Sequence, residues 1–252
     1  MSADGLIAAL GLPPAALVGQ RVPKKLLLEH HGAPTAADRR LVAEGIEAIH
    51  WLAALKPAHC GVPEYRDGTR EHLEIAVLRL RLRPGTREAR LAELLHRAVP
   101  YPVVLVVEAG AAVLLSLAHK RAALKEADKV VLDGDPMSAE VPGTDTPVGA
   151  AFLQALALER QPRASLLALY QGWMDIVTAL QAAALTGTFK LLDSAERLAE
   201  RRESLRTVAG LQARIASLRR DAVKTSQLAR QVELNIEIKR LQAELAAAHA
   251  RL

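Results

Sequence analysis

The last 42 residues, Leu211 to Leu252, contain neither glycine nor proline. A stretch of this kind reads as one long, charged, amphipathic helix or as a tight helical pair. Neither form is stable alone, because such helices hold only when an apolar stripe is buried against another helix. Leu211, Ile215 and Leu218 make one stripe, and Leu234, Ile238, Leu241, Leu245 and Leu252 make a second. At about 100° per residue the second is rotated by roughly 160° from the first. Either the helix breaks between Asp221 and Gln227 and folds into a hairpin, or opposite faces of one rod meet different surfaces. Ala and Leu flanked by Arg and Glu favour an intermolecular coiled coil, with Leu211, Ile215, Leu218, Leu234, Ile238, Leu241 and Leu245 binding a partner protein or a second copy.

The remainder must supply its own core. Of the 252 residues 50% are hydrophobic but only 3% aromatic, so the core is aliphatic. That favours helix-on-sheet packing over a β-sandwich. A net charge of +5 and a pI near 9.5 suit a cytoplasmic chain that tolerates polyanions. Cys60 is the single cysteine, so no internal disulfide is possible. Residues 1 to 17 carry Asp4, no basic cluster and a Pro13-Pro14 break, and do not read as a signal peptide. No stretch approaches the roughly 20 apolar residues of a membrane span.

Periodicity predicts a short helix over 4–10, a second turn from Pro13-Pro14, and a strand or extended arm over 22–29. A helix is expected over 35–55, with Thr35 and Asp38 as a capping box and Leu41, Ile46, Ile49 and Leu52 as its apolar face. A strand is expected over 71–83, with Ala76, Leu78, Leu80 and Leu82 on one face and Arg79, Arg81 and Arg83 on the other. A helix over 86–98 follows. Strands over 103–107 and 112–118 flank a turn at Gly110, and a fourth strand covers 129–132. Residues 133–149 hold Gly134, Pro136, Pro142, Gly143 and Pro147 and read as a boundary with room for an edge strand. Helices over 148–160 and 163–185 precede the arm. The expected architecture is an α/β (α+β) head over 1–140, with a small mixed sheet flanked by helices. A helical region over 148–252 follows, its coiled-coil-like arm covering about 192–252.

Four groups of side chains could carry chemistry. Arg79, Arg81 and Arg83 share a strand face, and a ladder of guanidinium groups suits phosphates. The competing reading is a solvated strand end or pairing with carboxylates. His119-Lys120-Arg121 follows an apolar strand, where functional groups often project. His30, His31, His50, His59 and Cys60 match no zinc spacing, so no metal is expected. A nuclease core would need an Asp and then Glu-x-Lys on adjacent strands to hold Mg²⁺. The sole Glu-x-Lys, Glu237-Ile238-Lys239, lies in the arm, which leaves only a degenerate set of Glu74, Glu108 and Lys120. There is no P-loop, Gly-x-Gly-x-x-Gly or Gly-x-Ser-x-Gly, and no cofactor is expected. Trp51, Tyr101, Tyr170 and Trp173 form no base-stacking series and read as core and boundary residues.

Several ordered segments carry a resemblance. They are Val22-Pro23-Lys24-Lys25, Ile49-His50-Trp51 with Leu55-Lys56-Pro57, and Val99-Pro100-Tyr101-Pro102-Val103. Leu117-Ala118-His119-Lys120-Arg121, Leu169-Tyr170 and Val232-Glu233-Leu234-Asn235 complete the series. In these the chain resembles the uncharacterised bacterial domain-of-unknown-function family 4391. The resemblance implies an accessory protein encoded near DNA methyltransferases and helicases in defence loci, and it brings no established activity. It draws attention to Lys24, Lys25, His119, Lys120 and Arg121. The resulting expectation is an accessory or adaptor protein, binding a partner through its arm and DNA phosphates through Lys24, Lys25, Arg79, Arg81, Arg83, His119, Lys120 and Arg121. The alternative is a metal-dependent nuclease.

Overall fold

A computed structural model describes residues 1–29, 34–123 and 130–252. The chain divides into two compact units, Met1–Leu180 and Gln181–Leu252.

The first unit opens with α1 (Ala3–Ala9), capped by the Ser2 hydroxyl, and a 3-10 turn over Pro14–Ala16. Then come β1 (Leu17–Arg21), α2 (Lys25–Glu29), α3 (Ala36–Gly45), β2 (Ile46–Leu55) and α4 (Pro57–Cys60). Two short strands, β3 (Tyr65–Arg66) and β4 (Glu71–His72), precede β5 (Ile75–Leu82), α5 (Glu88–Ala98), β6 (Val103–Ala109) and β7 (Ala112–Leu117). β8 (Lys120–Ala122), β9 (Val130–Leu132), β10 (Met137–Glu140) and α6 (Pro147–Leu156) lead through a 3-10 turn into α7 (Leu166–Thr186).

Six strands form one mixed sheet in the order β1-β2-β5-β6-β7-β10. Only the β5–β6 pair is parallel, and α5 makes the crossover that a parallel pair needs. β6 and β7 close as a hairpin whose Gly110 takes φ 66°, a conformation that costs glycine little. The expected edge strand within 133–149 is β10, on β7. β3 with β4, and β8 with β9, form two small separate hairpins.

One sheet face carries Ile49, Ala76, Leu78, Leu80, Leu82, Val103, Leu105 and Val107, packed against Val42 of α3 and Leu91, Leu94 and Leu95 of α5. Each of these valine, leucine and isoleucine side chains gains about 1.5–3 kcal/mol when fully buried. On the other face Val77, Val104 and Val106 are buried, and α1 packs on β6 and α6. The strand alternation expected for β5 holds: the leucines are buried, while Arg79 and Arg81 are only partly covered.

Two sequence expectations are corrected. The helix expected over 35–55 ends at Gly45, and Ile46–Leu55 is a central strand. The capping box is as expected, since the Thr35 hydroxyl accepts from the Asp38 amide at 3.0 Å and the Asp38 carboxylate receives the Thr35 amide. Gly45 stands at the junction, where the Thr86 side chain packs so close that a Cβ would stand 2.5 Å from Thr86 Cγ2. Second, Lys25–Glu29 is a short helix where a strand or extended arm was expected.

The second unit is a helical hairpin of α8 (Ala195–Lys224) and α9 (Leu228–His249). The break falls at Thr225–Gln227, inside the window read from the rotated stripes. The helices run antiparallel: Arg214 pairs with Glu237 at 2.7 Å, while Arg201, earlier in α8, reaches the Leu252 carbonyl beyond the end of α9.

Candidate functional site

The arginine ladder on β5 has carboxylates on its neighbours. Parallel register sets Arg81 beside Glu108 of β6. Glu108 pairs with Arg79 and lies 3.6 Å from Arg81. Asp4 of α1 meets Arg79 at 2.8 Å, and Glu47 of β2 lies 3.7 Å from Arg81. Arg79 and Arg81 are thus tied to acids. Arg83 is exposed at the strand end, where it donates to the Glu44 carbonyl at 3.1 Å.

Three of the candidate cations cap helix ends. Neither α3 nor α5 ends in a glycine cap, because each runs directly into an extended residue, Ile46 or Val99. Their last carbonyls still need donors. Lys24 donates to the carbonyls of Ala43 and Ile46, and Arg83 to that of Glu44. Burial lowers the Lys24 pKa, and the Arg83 and Arg21 charges lower it further. Lys120, only 4% exposed, donates to His96 at 2.7 Å and to Val99 at the end of α5. Cations are favoured there by the helix dipole. Burial pulls the Lys120 pKa down to about 7. Of His119-Lys120-Arg121, read in the sequence as projecting from a strand end, Lys120 is buried. Lys120 faces inward, His119 Nε2 meets Gln171 Oε1 at 3.1 Å, and Arg121 lies 3.7 Å from Asp133. Lys25 is exposed.

Sequence reasoning missed the polar cluster behind these residues. The Tyr170 hydroxyl of α7 accepts from the Ala118 amide at 2.9 Å and faces the carbonyls of Val103 at 2.8 Å and Ala118 at 3.1 Å. It joins β6 to the end of β7, and its burial raises the phenol pKa. The ring of His72 lies 5.9 Å from that of Tyr170, and the ring of His119 lies 6.1 Å from it. His72 is fully buried, and neither ring nitrogen finds a hydrogen-bond partner among the described residues. Burial, then the charges of His119 and Arg70, lower its pKa to about 4. Asp67 shapes the turn before it, accepting from the Thr69 and Arg70 amides at 2.7 Å each, and those bonds hold its carboxyl well below the usual range. Asp-Gly-Thr-Arg at 67–70 is a local turn signal that could have located this feature. A second buried pair, His96 Nε2 to Ser116 Oγ at 3.1 Å, has no local signal because its members stand 20 residues apart.

The remaining candidates do not assemble. Glu74 precedes β5 and pairs with Lys56 at 3.2 Å, whereas Glu108 sits beside Arg81 near the other end of that strand. Lys120 serves α5. The set Glu74, Glu108 and Lys120 is therefore not brought together. His50 lies opposite Arg79, His59 Nδ1 meets the Ala54 carbonyl at 3.1 Å, and the Cys60 thiol meets that of Lys56 at 3.2 Å. His30 and His31 lie outside the described residues. Among the described residues no three His, Cys, Asp or Glu side chains are grouped so as to hold a metal ion, and no helix is long and apolar enough to cross a membrane.

The apolar seam expected to await a partner is filled within the hairpin. Ile215, Ile238 and Leu241 form a buried cluster, with Leu211, Leu218 and Leu245 against it, and Leu234 is buried as well. A different set is bare. Val223 near the tip is 86% exposed, and Leu228, Val232 and Ile236 are 74%, 50% and 64% exposed. Spacings of four place the last three on one side of α9.

A family model described as a domain of unknown function, DUF4391, matches residues 10–245. The chain belongs to the DUF4391 family. The match covers residues of both structural units. No curated protein and no solved structure matches the chain. The segments that carried the resemblance have identifiable places in the fold: Lys24 and Lys120 close helix ends, Tyr170 ties β6 to β7, and Trp51 Nε1 donates to the Ala53 carbonyl at 2.8 Å.

Proposed function

We propose that this protein is an accessory module that docks onto a partner protein through the outward face of its C-terminal hairpin. The observation that supports this is the row Leu228, Val232 and Ile236, with Val223 beside the turn, bare on a hairpin whose seam is already filled. Contiguous exposed apolar side chains of this kind mark interaction surfaces. Spacing along α9 suits a partner helix, whose own apolar stripe would cover the row. The gene neighbourhood that the family resemblance implies makes a DNA methyltransferase or helicase of a defence locus the first partner to try.

Contact with DNA phosphates is a subsidiary part of the reading. It rests on fewer side chains than the sequence suggested, namely the exposed Lys25 and Arg83 with Arg21 and Arg87. Such contact would weaken steeply with salt and be insensitive to sequence.

The test is light scattering after size exclusion, on the full chain alone and mixed with a methyltransferase or helicase encoded beside it. A mass above the monomer in either arm, lost in the V232S/I236S double variant, supports docking. A monomer in both arms, or a complex indifferent to the double variant, sinks it.

A further inference from the structure

α9 carries two seams. Leu234, Ile238, Leu241, Leu245 and Ala248 recur at alternating steps of four and three, and this seam is packed within the hairpin. Ala229, Val232, Ile236, Lys239, Ala243, Ala246 and Ala250 recur at alternating steps of three and four, and every one of them is exposed. The outer seam runs two residues behind the inner one. At about 100° per residue that offset sets the two seams roughly 160° apart. Alternation of three and four is the pattern by which helices pair along their length. The helix is therefore patterned to pack on two sides, and α8 occupies one of them.

We infer that the outer seam pairs with the same seam of a second copy of this chain, antiparallel across a two-fold axis. This rests on the docking reading above and names the partner. The face complements itself in one direction. Its first half is bulky, with Val232, Ile236 and the flanking Leu228, and its second half is small, with Ala243, Ala246 and Ala250. Parallel copies would set bulk on bulk at one end and alanine on alanine at the other, and no single spacing of the helix axes suits both. Antiparallel copies mate bulk with alanine at both ends. In the register that puts Val232 opposite the partner's Ala243, Ala229 lies opposite the partner's Ala246 and Ile236 opposite the partner's Lys239. Parallel pairing would instead oppose Lys239 to its own equivalent. Charge agrees with this choice. Glu233 and Arg240 stand on the same flank of the seam. In this register Glu233 comes within about 3 Å of the partner's Arg240 along the axis, at 1.5 Å per residue. Two such pairs of opposite charge bracket the centre, and flanking pairs of this kind set helix direction. The contact is closed, because one patch serves both copies. Four alanines and a lysine among the seven positions make the pair weak and reversible, so the hairpin stands folded alone in dilute solution.

The experiment follows the full chain by light scattering over a range of concentrations. A mass rising toward twice the 27.1 kDa of one chain is expected. Ile236→Glu, a surface change, should weaken the association at least about tenfold. Direction is read with single added cysteines and a short bis-maleimide. Val232→Cys and Ala243→Cys chains should cross-link when mixed and not when each is alone, since like positions stand about 16 Å apart along the axis of the antiparallel pair. The native Cys60 is buried, and the wild-type chain is the control. A monomer even near about 1 mM overturns the inference. So does association indifferent to Ile236→Glu, or linkage of Val232→Cys chains to one another as readily as to Ala243→Cys chains. Failure here differs from failure of docking. A chain that stays monomeric alone, yet forms a complex with a foreign protein that is lost in V232S/I236S, sinks the second copy and keeps the docking surface.

Discussion

The ammonium of Lys120 lies 2.7 Å from the carbonyl oxygen of His96, at the last turn of α5. A residue that reads in sequence as part of a basic surface motif is spent on closing a helix. Lys24 does the same for α3. The two helices lack glycine caps and enter extended chain at once, so side-chain donors from distant segments satisfy their carbonyls.

Lys120→Met should destabilise the first unit by about 1–3 kcal/mol, the cost of leaving buried carbonyls without donors. Urea denaturation measures this as a lower midpoint. An unchanged midpoint would mean that the carbonyls find other donors.

Tyr170→Phe removes the one hydroxyl that serves the Ala118 amide and the carbonyls of Val103 and Ala118. A loss of about 1–3 kcal/mol is expected, with faster hydrogen exchange at the Ala118 amide. Protection at that amide equal to wild type would argue against the bridge.

Acid should undermine the protein partly through its buried histidines. Burial holds His72 at a pKa of about 4 and His96 at about 3. Unfolded histidine titrates near 6.5. Below that value the unfolded chain binds more protons than the folded one. The contribution is thus complete above about pH 6.5 and is lost as pH falls toward the folded values. His72→Phe should flatten the melting-temperature profile between about pH 6.5 and about pH 4.5 relative to wild type. Parallel profiles would show that His72 does not stay neutral on folding.

The capping box gives a prediction of opposite chemistry. Hydrogen bonding from Arg90 and then from Thr35 outweighs burial and holds the Asp38 carboxyl at about 2. Its stabilising effect is present above the ordinary carboxylate pKa and disappears as pH drops through the folded value. Thr35→Ala should cost about 1 kcal/mol at neutral pH. Asp38→Asn should be destabilising at pH 7 and converge on wild type in strong acid, as read by urea midpoints at the two pH values.

The hairpin should separate seam from outer face. Ile238→Ala opens a buried cluster and is expected to cost about 2–5 kcal/mol, less if the helices close in. Val232→Ser, on the outer face, should change stability by no more than about 0.5 kcal/mol. Thermal melts followed at 222 nm compare the two. A Val232 variant as damaged as the Ile238 variant would mean that the outer row is already covered.

Much of this architecture was legible because some rules are local. Thr35 and Asp38 announced their helix start, Gly110 its hairpin, and the rotated stripes their break. What failed was non-local. Ile46–Leu55 fits a helical spacing of apolar residues, yet it is a central strand covered on both faces, so it shows no clean alternation. Gly45 was the available signal, and its importance depends on Thr86, 41 residues away. The basic residues misled for the same reason. Arg79 shows its charge in sequence, but Glu108 and Asp4 reach it only through the fold.

Tyr170 lies 67 residues beyond Val103 and 52 beyond Ala118. On the ribosome, β6 and β7 must emerge and wait for α7 before their ends can be tied. A nascent chain that has delivered every strand is still unfinished, and a fragment stopped after β10 would keep that state permanently, its loose strand ends open to other chains.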